Sequence, residues 1–418
     1  MAAYPRPMSD APEPLPESAR AVPDGSDLGR ARGTDFFGLD DLLSEREREL
    51  RDGLRAWCDE EVVPRAQEWW EAARFPAEMV PGYAATRVAG AAIQGYGCAG
   101  VSAVAEGMMC AELARGDGSI ATFNAVHSGL AMTAVHLLGS EEQRERWLPG
   151  MARVETVGAV ALTEPTHGSD VVSLETTARR DGDHWVLDGA KRWIGNGSVC
   201  DLVVVWARDE AGDVGGFVVE DPQQADGWDA QVIEGKISNR GVWQAHIRLD
   251  GVRVPADSRL AQARTFADTN RVLARSRQTV AWEAIGHAVA AYEGALTYAL
   301  RREQFGRPLA KNQLIQDDLA RMVTLITSMQ LMCTRMSQLE DQGRCTIEHA
   351  AMAKLHTTTA AREVVAIARD LLGGNGILLD HHVARHFADL EAVYTYEGSR
   401  TVQSLLVGRS VTGTSAFR

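Results

Sequence analysis

HWVLDGAKRWIGNGSVCDLVVVWARDEAGDVGGFVVE, residues 184–220, decides the fold. It falls into short runs rich in Val, Ile and Trp. They partly alternate and are divided by Asp-Gly and Gly-Gly, as strands joined by tight turns are. AHIRLDGVRVP (245–255) continues the pattern, and the spacing predicts a compact β domain over 159–262. On both sides the period is helical. Upstream, Ser44 stands three residues before Glu47, a capping-box pattern, and Leu50, Leu54, Trp57 and Cys58 follow at helical spacing. GMMCAELARGDGS, SGLAMTAVHLLGS and EEQRERWLPGMARV carry that texture to about residue 150. Downstream, long segments start near Asn270, Asn312, Thr346 and His381, separated by PLAKN, DQGRC and GGNGILL. Four helices with short connections predict an antiparallel bundle.

The expected organisation is a loosely packed arm over 1–35, a helical N-terminal domain over 36–158, the β domain, and a helical bundle over 263–418. The arm holds six of the fourteen prolines and few large apolar groups. This order is not the strand–helix alternation of a dinucleotide-binding sheet, so a nucleotide cofactor must be held by another architecture.

Composition narrows the function. A chain of 418 residues is long enough for two or three packed units. Its 43 basic and 57 acidic side chains give a net charge of −14, which argues against a nucleic-acid partner. No apolar run reaches the ~18 residues of a membrane span. The opening residues lack a cationic end followed by an apolar stretch, so a cytoplasmic protein is expected. Six scattered cysteines without a Cys-x-x-Cys are expected to be reduced thiols.

Taken singly, the polar motifs are ambiguous. LTEPTHGSD (162–170) reads as a polar loop, and Gly373-Gly374-Asn375-Gly376 as a helix-ending turn or a phosphate cradle. His382 and His386 have the i, i+4 spacing of zinc ligands, but no cysteine or second cluster accompanies them, and surface histidines are the expectation. Glu397 lies among Val393, Tyr394 and Tyr396. It is either a desolvated general base or an exposed loop glutamate.

Taken together, LTEPTHGSD, KRWIGN (191–196), RREQFGRPLAKNQ (301–313), RDLLGGNGI (369–377) and LEAVYTYEG with VGRSVTG (390–398, 407–413) occur in an order that resembles the acyl-CoA dehydrogenase family. The resemblance runs from about residue 40 to the end. It is closest to the glutaryl-CoA dehydrogenase-like branch, which includes short-chain acyl-CoA oxidases. It implies a mainly α protein with a β-barrel-like middle domain and a C-terminal four-helix bundle, assembled as a homotetramer. It also implies α,β-dehydrogenation of an acyl-CoA thioester by FAD, with electrons passing to an electron-transfer flavoprotein.

By the same resemblance Glu397 is the base, since the position that carries it in other branches is Ser276 here. FAD contacts are expected from Leu162, Thr163, Ser169, Trp193, Ile194, Gly195 and Ser399. Arg302 and Gln313 are expected to reach it from a neighbouring subunit, and Asp370, Leu371, Gly373 and Gly374 to offer backbone N–H groups to its other end. Ser169, Arg277, Tyr396 and Gly398 are expected near the thioester ligand, and Ala121, Thr122, Ala125 and Val126 along the acyl chain.

Three departures from the family pattern stand out. Ala121 and Ala125 occupy the positions where glutaryl-specific enzymes carry an arginine and a serine, so glutaryl-CoA is not the expected substrate. Gly195 replaces a threonine, as in the oxidase branch. Glu283, seven residues after Ser276 and on its helical face, stands where relatives carry a small or neutral residue. It either meets a polar acyl group or is satisfied by a cation or water. An oxidase reducing oxygen, a desaturase of a carrier-protein-bound acyl or aminoacyl thioester, and a non-catalytic flavin protein remain the alternatives.

Overall fold

The structure, a computed structural model, describes residues 33–416, so almost all of the expected N-terminal arm lies outside the described residues. Helices α1 (Glu45–Trp57), α2 (Val63–Ala72), α3 (Val80–Ala85), α4 (Ala103–Gly116), α5 (Gly118–Asn124), α6 (Thr133–Leu138) and α7 (Glu141–Ala152) come first. The Ser44 hydroxyl accepts from the Glu47 N–H and Glu47 reaches back to the Ser44 N–H, the predicted reciprocal cap. Leu54 and Cys58 are buried on the inner face. Between α5 and α6 the backbone runs through π-helical turns at Ala125–Met132. Asp117 starts α5, its carboxylate accepting from Ser119 N (2.9 Å) and Ile120 N (3.2 Å).

The middle region is one curled seven-stranded sheet in the order β1-β4-β2-β3-β7-β6, with β5 paired to β4. Its strands are β1 (Gly158–Ala161), β2 (Thr177–Asp181), β3 (His184–Gly195), β4 (Leu202–Asp209), β5 (Val214–Glu220), β6 (Trp228–Val232) and β7 (Gln244–Pro255). The unbroken apolar run Leu202–Ala207 is buried throughout, as a central strand requires. β1 and β2 pair in parallel with β4, while the remaining pairs are antiparallel.

The last region holds α8 (Phe266–Arg301), a small hairpin β8 (Glu303–Gln304) and β9 (Arg307–Pro308), then α9 (Gln313–Asp341), α10 (Ile347–Leu371), α11 (Val383–Thr395) and α12 (Arg400–Thr412). α8 begins four residues before the expected start, because the Asp268 carboxylate caps the Thr265 N–H (3.0 Å). It spans 36 residues and packs on α4, α9, α10 and α11. The fourth bundle segment is two helices, interrupted at Tyr396–Ser399. No helix among the described residues is long and apolar enough to cross a membrane. All six cysteines are unpaired, four of them buried.

Buried polar groups bind the three regions to one another. Arg385 on α11 pairs with Asp117 at 2.7 Å, both nearly inaccessible. The Asp389 carboxylate accepts from Trp70 Nε1 (2.9 Å) and Asn239 N (2.6 Å), joining α11 to α2 and to the loop before β7. Burial pushes Asp389 up to about 7, and the nearby Asp117 adds to this. His386 is buried against His287 of α8, with ring nitrogens 3.0 Å apart. The expectation of surface histidines is therefore corrected: residue 386 falls on the inward stripe of α11. His382 is half-buried, its Nδ1 accepting from Arg385 at 2.8 Å, so the two histidines of the zinc-like spacing are engaged separately.

Candidate active site

The interruption between α11 and α12 is where the chain is gripped most closely. α11 ends as Tyr396 N–H bonds Ala392 O (2.9 Å), leaving the next N–H, that of Glu397, beyond the helix. Glu397 then adopts a left-handed φ of 53° and Gly398 one of 89°. For a glutamate that conformation costs on the order of 1–3 kcal/mol, so the surroundings must enforce it. Arg277 Nε donates to Glu397 O (3.3 Å). Gln403 Nε2 donates to Glu397 O (2.8 Å) and Gly398 O (3.0 Å). Lys354 Nζ, wholly buried on α10, donates to Gly398 O (2.9 Å). Burial pushes the Lys354 ammonium down to about 8, while the Glu397 charge pulls the other way.

The side chains around this turn are tied as firmly. Ser276 Oγ donates to Glu397 Oε2 at 2.7 Å. Glu397 itself is half-buried. Tyr396 OH donates to Glu283 Oε2 at 2.8 Å. α8 thus holds Tyr396 and Glu397 through three residues on neighbouring turns, Ser276, Arg277 and Glu283. Glu283 is 1% exposed, and its Oε1 has no partner. Burial pushes its carboxyl up to about 8, and the Glu397 charge acts in the same direction. The partner of Glu283 is therefore a phenol, not the cation or water expected from the sequence.

A second group of residues gathers at the end of β3. Buried Lys191 donates to Glu164 Oε1 (2.9 Å) and Leu162 O (3.1 Å). Glu164 also accepts from Glu175 N (2.7 Å), Thr176 N (2.8 Å) and Thr176 Oγ1 (2.5 Å). Burial raises the Glu164 carboxyl, but these donors and Lys191 outweigh it and hold it at about 2. With Arg192 N–H bonding Thr163 O (2.8 Å), they fix Leu162 and Thr163 beside β3. The strand bulges between Lys191 and Ile194, where Trp193 takes a φ of 63° and leaves 52% of its surface open. Ile194 is buried, and Ser169 lies exposed in the loop beyond Glu164.

Gly195 has a steric reason. A Cβ there would stand 2.6 Å from Val126 Cγ2, so the π-turn segment and β3 approach too closely for a side chain. The contact is locked from both sides. His127 Nδ1 accepts from Gly158 N (2.9 Å) while its Nε2 meets Met151 O (3.0 Å), and Asn196 Nδ2 donates to Phe123 O and Gly158 O (both 3.3 Å). Burial pushes His127 down to about 4, consistent with a neutral ring that accepts at Nδ1. Ala121, Thr122, Ala125 and Val126 are all buried on this segment.

A third group lies at the far end of α8. Arg302 N–H bonds Tyr298 O (2.8 Å), and Asn375 Nδ2 donates to Tyr298 OH (3.0 Å), so the hairpin after α8 and the turn after α10 are neighbours. Arg302, Gln313, Asp370, Gly373 and Gly374 are exposed in the single chain, and Leu371 is half-buried. Gly373 has a φ of 59°, and nothing lies within 4 Å of a Cβ placed on it or on Gly374. Arg302, directly after the last residue of α8, stands 25 residues beyond Arg277. At 1.5 Å per residue the two ends are ~38 Å apart.

Comparison with known proteins identifies this architecture. Residues 44–155 match the acyl-CoA dehydrogenase N-terminal domain, 159–252 its middle domain and 266–412 its C-terminal domain. Bovine (Bos taurus) mitochondrial short-chain specific acyl-CoA dehydrogenase is 32% identical over 375 residues, covering 87% of this chain and 90% of the relative. A crystal structure of glutaryl-CoA dehydrogenase from Mycobacterium smegmatis superposes with a TM-score of 0.89 at 40% identity, covering 93% of this chain and 100% of the other. A second glutaryl-CoA dehydrogenase structure from the same organism, in complex with FADH2, gives 0.89 at 35% identity, covering 92% and 99%.

This chain belongs to the acyl-CoA dehydrogenase family. As an acyl-CoA dehydrogenase it is an FAD-dependent oxidoreductase. Sequence reasoning about this acyl-CoA dehydrogenase reached Glu397 and Tyr396, which share one turn with Gly398 and Ser399, and Arg277, which reaches that turn from α8. It missed the grip on that turn. Ser276 was noted only as unable to act as a base, and Lys354 and Gln403 were passed over. The signal for Lys354 was present: a lone lysine among Ala350, Ala351, Ala353, Thr357, Thr358 and Ala361, in a stripe otherwise small and buried.

Proposed function

We propose that this acyl-CoA dehydrogenase removes one hydrogen from each of the α and β carbons of a short-chain or branched acyl thioester, with Glu397 as base. The observation that carries the proposal is the Tyr396–Ser399 turn. A carboxylate is presented there in a strained conformation, with its side chain and backbone each held by separate donors. Ser276 occupies Glu397 Oε2, leaving Oε1 to take the α-proton. The Glu397 N–H, free of the helix, donates to the thioester oxygen as negative charge develops there. Arg277 and Lys354 place positive charge beside the same turn.

The residues present fit FAD. Gly373 and Gly374 form a backbone edge with room on their open side, as a phosphate-binding turn needs. Trp193 offers a half-open ring at the bulge, beside Thr163 and Leu162. Ser169 and Ser399 are the hydroxyls we assign near the flavin and the thioester arm. When bound, FAD supplies the acceptor for the β-hydride. The separation of Arg302, Gln313 and Asp370–Gly374 from the Glu397 turn supports a flavin shared with a second copy of the chain, in a tetramer as the family pattern implies. A cytoplasmic enzyme handing electrons to an electron-transfer flavoprotein is the corresponding cellular reading.

Glutaryl-CoA is not the substrate in this proposal, despite the similarity to glutaryl-CoA dehydrogenases. Ala121 and Ala125 offer no cation, and Lys354 and Arg277 are committed to backbone carbonyls. A buried unpaired carboxylate would be costly there.

The test is an anaerobic titration of the yellow protein with butyryl-, isobutyryl- and glutaryl-CoA, following flavin bleaching. Bleaching by the first two and not by the third is expected; bleaching by none, or comparable turnover of the third, overturns the reading. Peroxide released under air without an added acceptor would mark an oxidase. Loss of two hydrogens from a loaded carrier protein would mark a carrier-dependent desaturase.

A further inference from the structure

Glu283 is an acid in a place where the chemistry above does not use one. Its carboxyl is buried, and one oxygen is taken by Tyr396 OH while the other has no partner. A buried polar atom left unpaired costs on the order of 1–3 kcal/mol, so its presence calls for a ligand or a compensating gain.

The surroundings say what kind of ligand. Tyr396 precedes the base, and α8, which carries Glu283, packs against the π-turn segment at Ala125–Met132 that includes part of the lining assigned to the acyl chain. Thr122, just before that segment, is satisfied separately: its hydroxyl donates to Gly118 O (2.9 Å) and accepts from Asn239 Nδ2 (2.7 Å). Glu283 and Tyr396 thus form a bonded polar pair next to the base, whereas Ala121, Ala125 and Val126, which we assign to the acyl chain, are small and apolar. The charges that bear on Glu283 are those of Glu397, which pushes its carboxyl up, and Lys354, which pulls it down. The ammonium is held by Gly398 O, and no guanidinium among the described residues is bonded to Glu283.

We propose that Glu283 is a specificity-determining residue, whose free oxygen receives a neutral hydrogen-bonding group, a hydroxyl or an amide, carried by the acyl chain beyond its β-carbon. This rests on the acyl-thioester reading above and narrows its substrate class. An anionic terminus is repelled by Glu397 and by any ionised Glu283. A plain alkyl terminus leaves the carboxyl oxygen unpaired in the complex. A hydroxyl suits either protonation state, since it can accept from the acid or donate to the carboxylate.

The experiment compares isosteric ester pairs with the flavin-loaded enzyme: pentanoyl-CoA against 4-hydroxybutyryl-CoA, and hexanoyl-CoA against 5-hydroxypentanoyl-CoA. The readout is the ratio of kcat/KM for flavin bleaching within each pair, which cancels losses of folded or loaded protein. Wild type is expected to favour the hydroxyl ester at least ~10-fold at one of the two lengths, given the cost of an unpaired buried polar group. Glu283→Leu is expected to abolish or reverse that preference, and Glu283→Gln to keep part of it. Should Glu283→Leu lose its flavin, the Glu283→Gln ratio and its pH dependence decide. The amide ratio is expected to be flat with pH, whereas the wild-type ratio changes as Glu283 ionises. Equal ratios in wild type and variants, or a preference for the alkyl ester at both lengths, overturn the proposal. Wild type bleached by none of the four esters would instead refute the acyl-thioester reading itself.

Discussion

The two ends of α8 present opposite kinds of surface. Around Ser276, Arg277 and Glu283 the Glu397 and Gly398 carbonyls and one Glu397 carboxylate oxygen are held by donors from α8, α10 and α12. Around Arg302 and the Gly373-Gly374 turn, polar groups stand open on one chain. A turn that must hold a reacting carboxylate to a fraction of an ångström gains from being determined inside one chain. A surface that only has to grip phosphates can be left for assembly to complete. The contrast suggests that chemistry and cofactor retention are separable by mutation.

The largest expected effect falls on the closed end. Glu397→Gln keeps the shape of the turn but removes the base, and anaerobic bleaching by a good substrate should slow ~10²–10⁴-fold while the ester still binds. A variant that bleaches at the wild-type rate would remove Glu397 from the mechanism.

At the open end, Arg302→Ala should weaken flavin retention by ~10–100-fold, the worth of a charged hydrogen bond. Bleaching per bound flavin should change little. Equilibrium dialysis of FAD against stopped-flow bleaching separates the two. At an FAD concentration where Arg302→Ala chains are mostly flavin-free, co-expressed Glu397→Gln and Arg302→Ala chains should then form hybrids more active than either variant alone, and the absence of that gain would argue against a shared flavin.

Between the ends lies the Gly195–Val126 contact. Gly195→Thr should cost ~1–3 kcal/mol through overpacking, and Val126→Ala in the same chain should restore most of it. Thermal unfolding reads both, and a Gly195→Thr chain as stable as wild type would show that the segments can move apart.

The smallest expected effect is a pH dependence. Burial raises Glu283 to about 8, above its unfolded value, so its folded form holds a proton that the unfolded chain has released. The stability it contributes is full below the unfolded value of ~4.3 and is lost as pH rises through about 8. Glu283→Gln should therefore flatten this decline, with a Tm at pH 8 higher than wild type by a few degrees, about what 1 kcal/mol produces. Parallel Tm-versus-pH curves would exclude Glu283 as the titrating group.

Much of this contrast was legible in the sequence, and the parts that were not share a cause. The order of helices, strands and helices follows from apolar period, which local residues set. β1 and β2 escaped notice because Gly-Ala-Val-Ala is small and Thr-Ala-Arg-Arg-Asp is polar, and they become strands by pairing, β1 with β4 and β2 chiefly with β3. Glu397 could be named because its neighbours in sequence form a pattern. Ser276 reaches it from 121 residues away and Lys354 reaches the neighbouring Gly398 from 44, so only tertiary packing joins them. His386 was misjudged for the same reason, since its partner His287 lies 99 residues upstream.

The length of α8 carries one more consequence. It is a single rigid rod of 36 residues with a different duty at each end. Deleting one residue near its middle would shorten it by ~1.5 Å and rotate one end by about 100° against the other. Substitutions on its outer face should be mild, but single-residue insertions or deletions between Ala284 and Leu300 should uncouple the two ends. A seven-residue insertion would restore the rotation to within about 20° and leave only a spacing error. The helix thus behaves as a phase-locked ruler, in which register and not composition is the quantity under constraint.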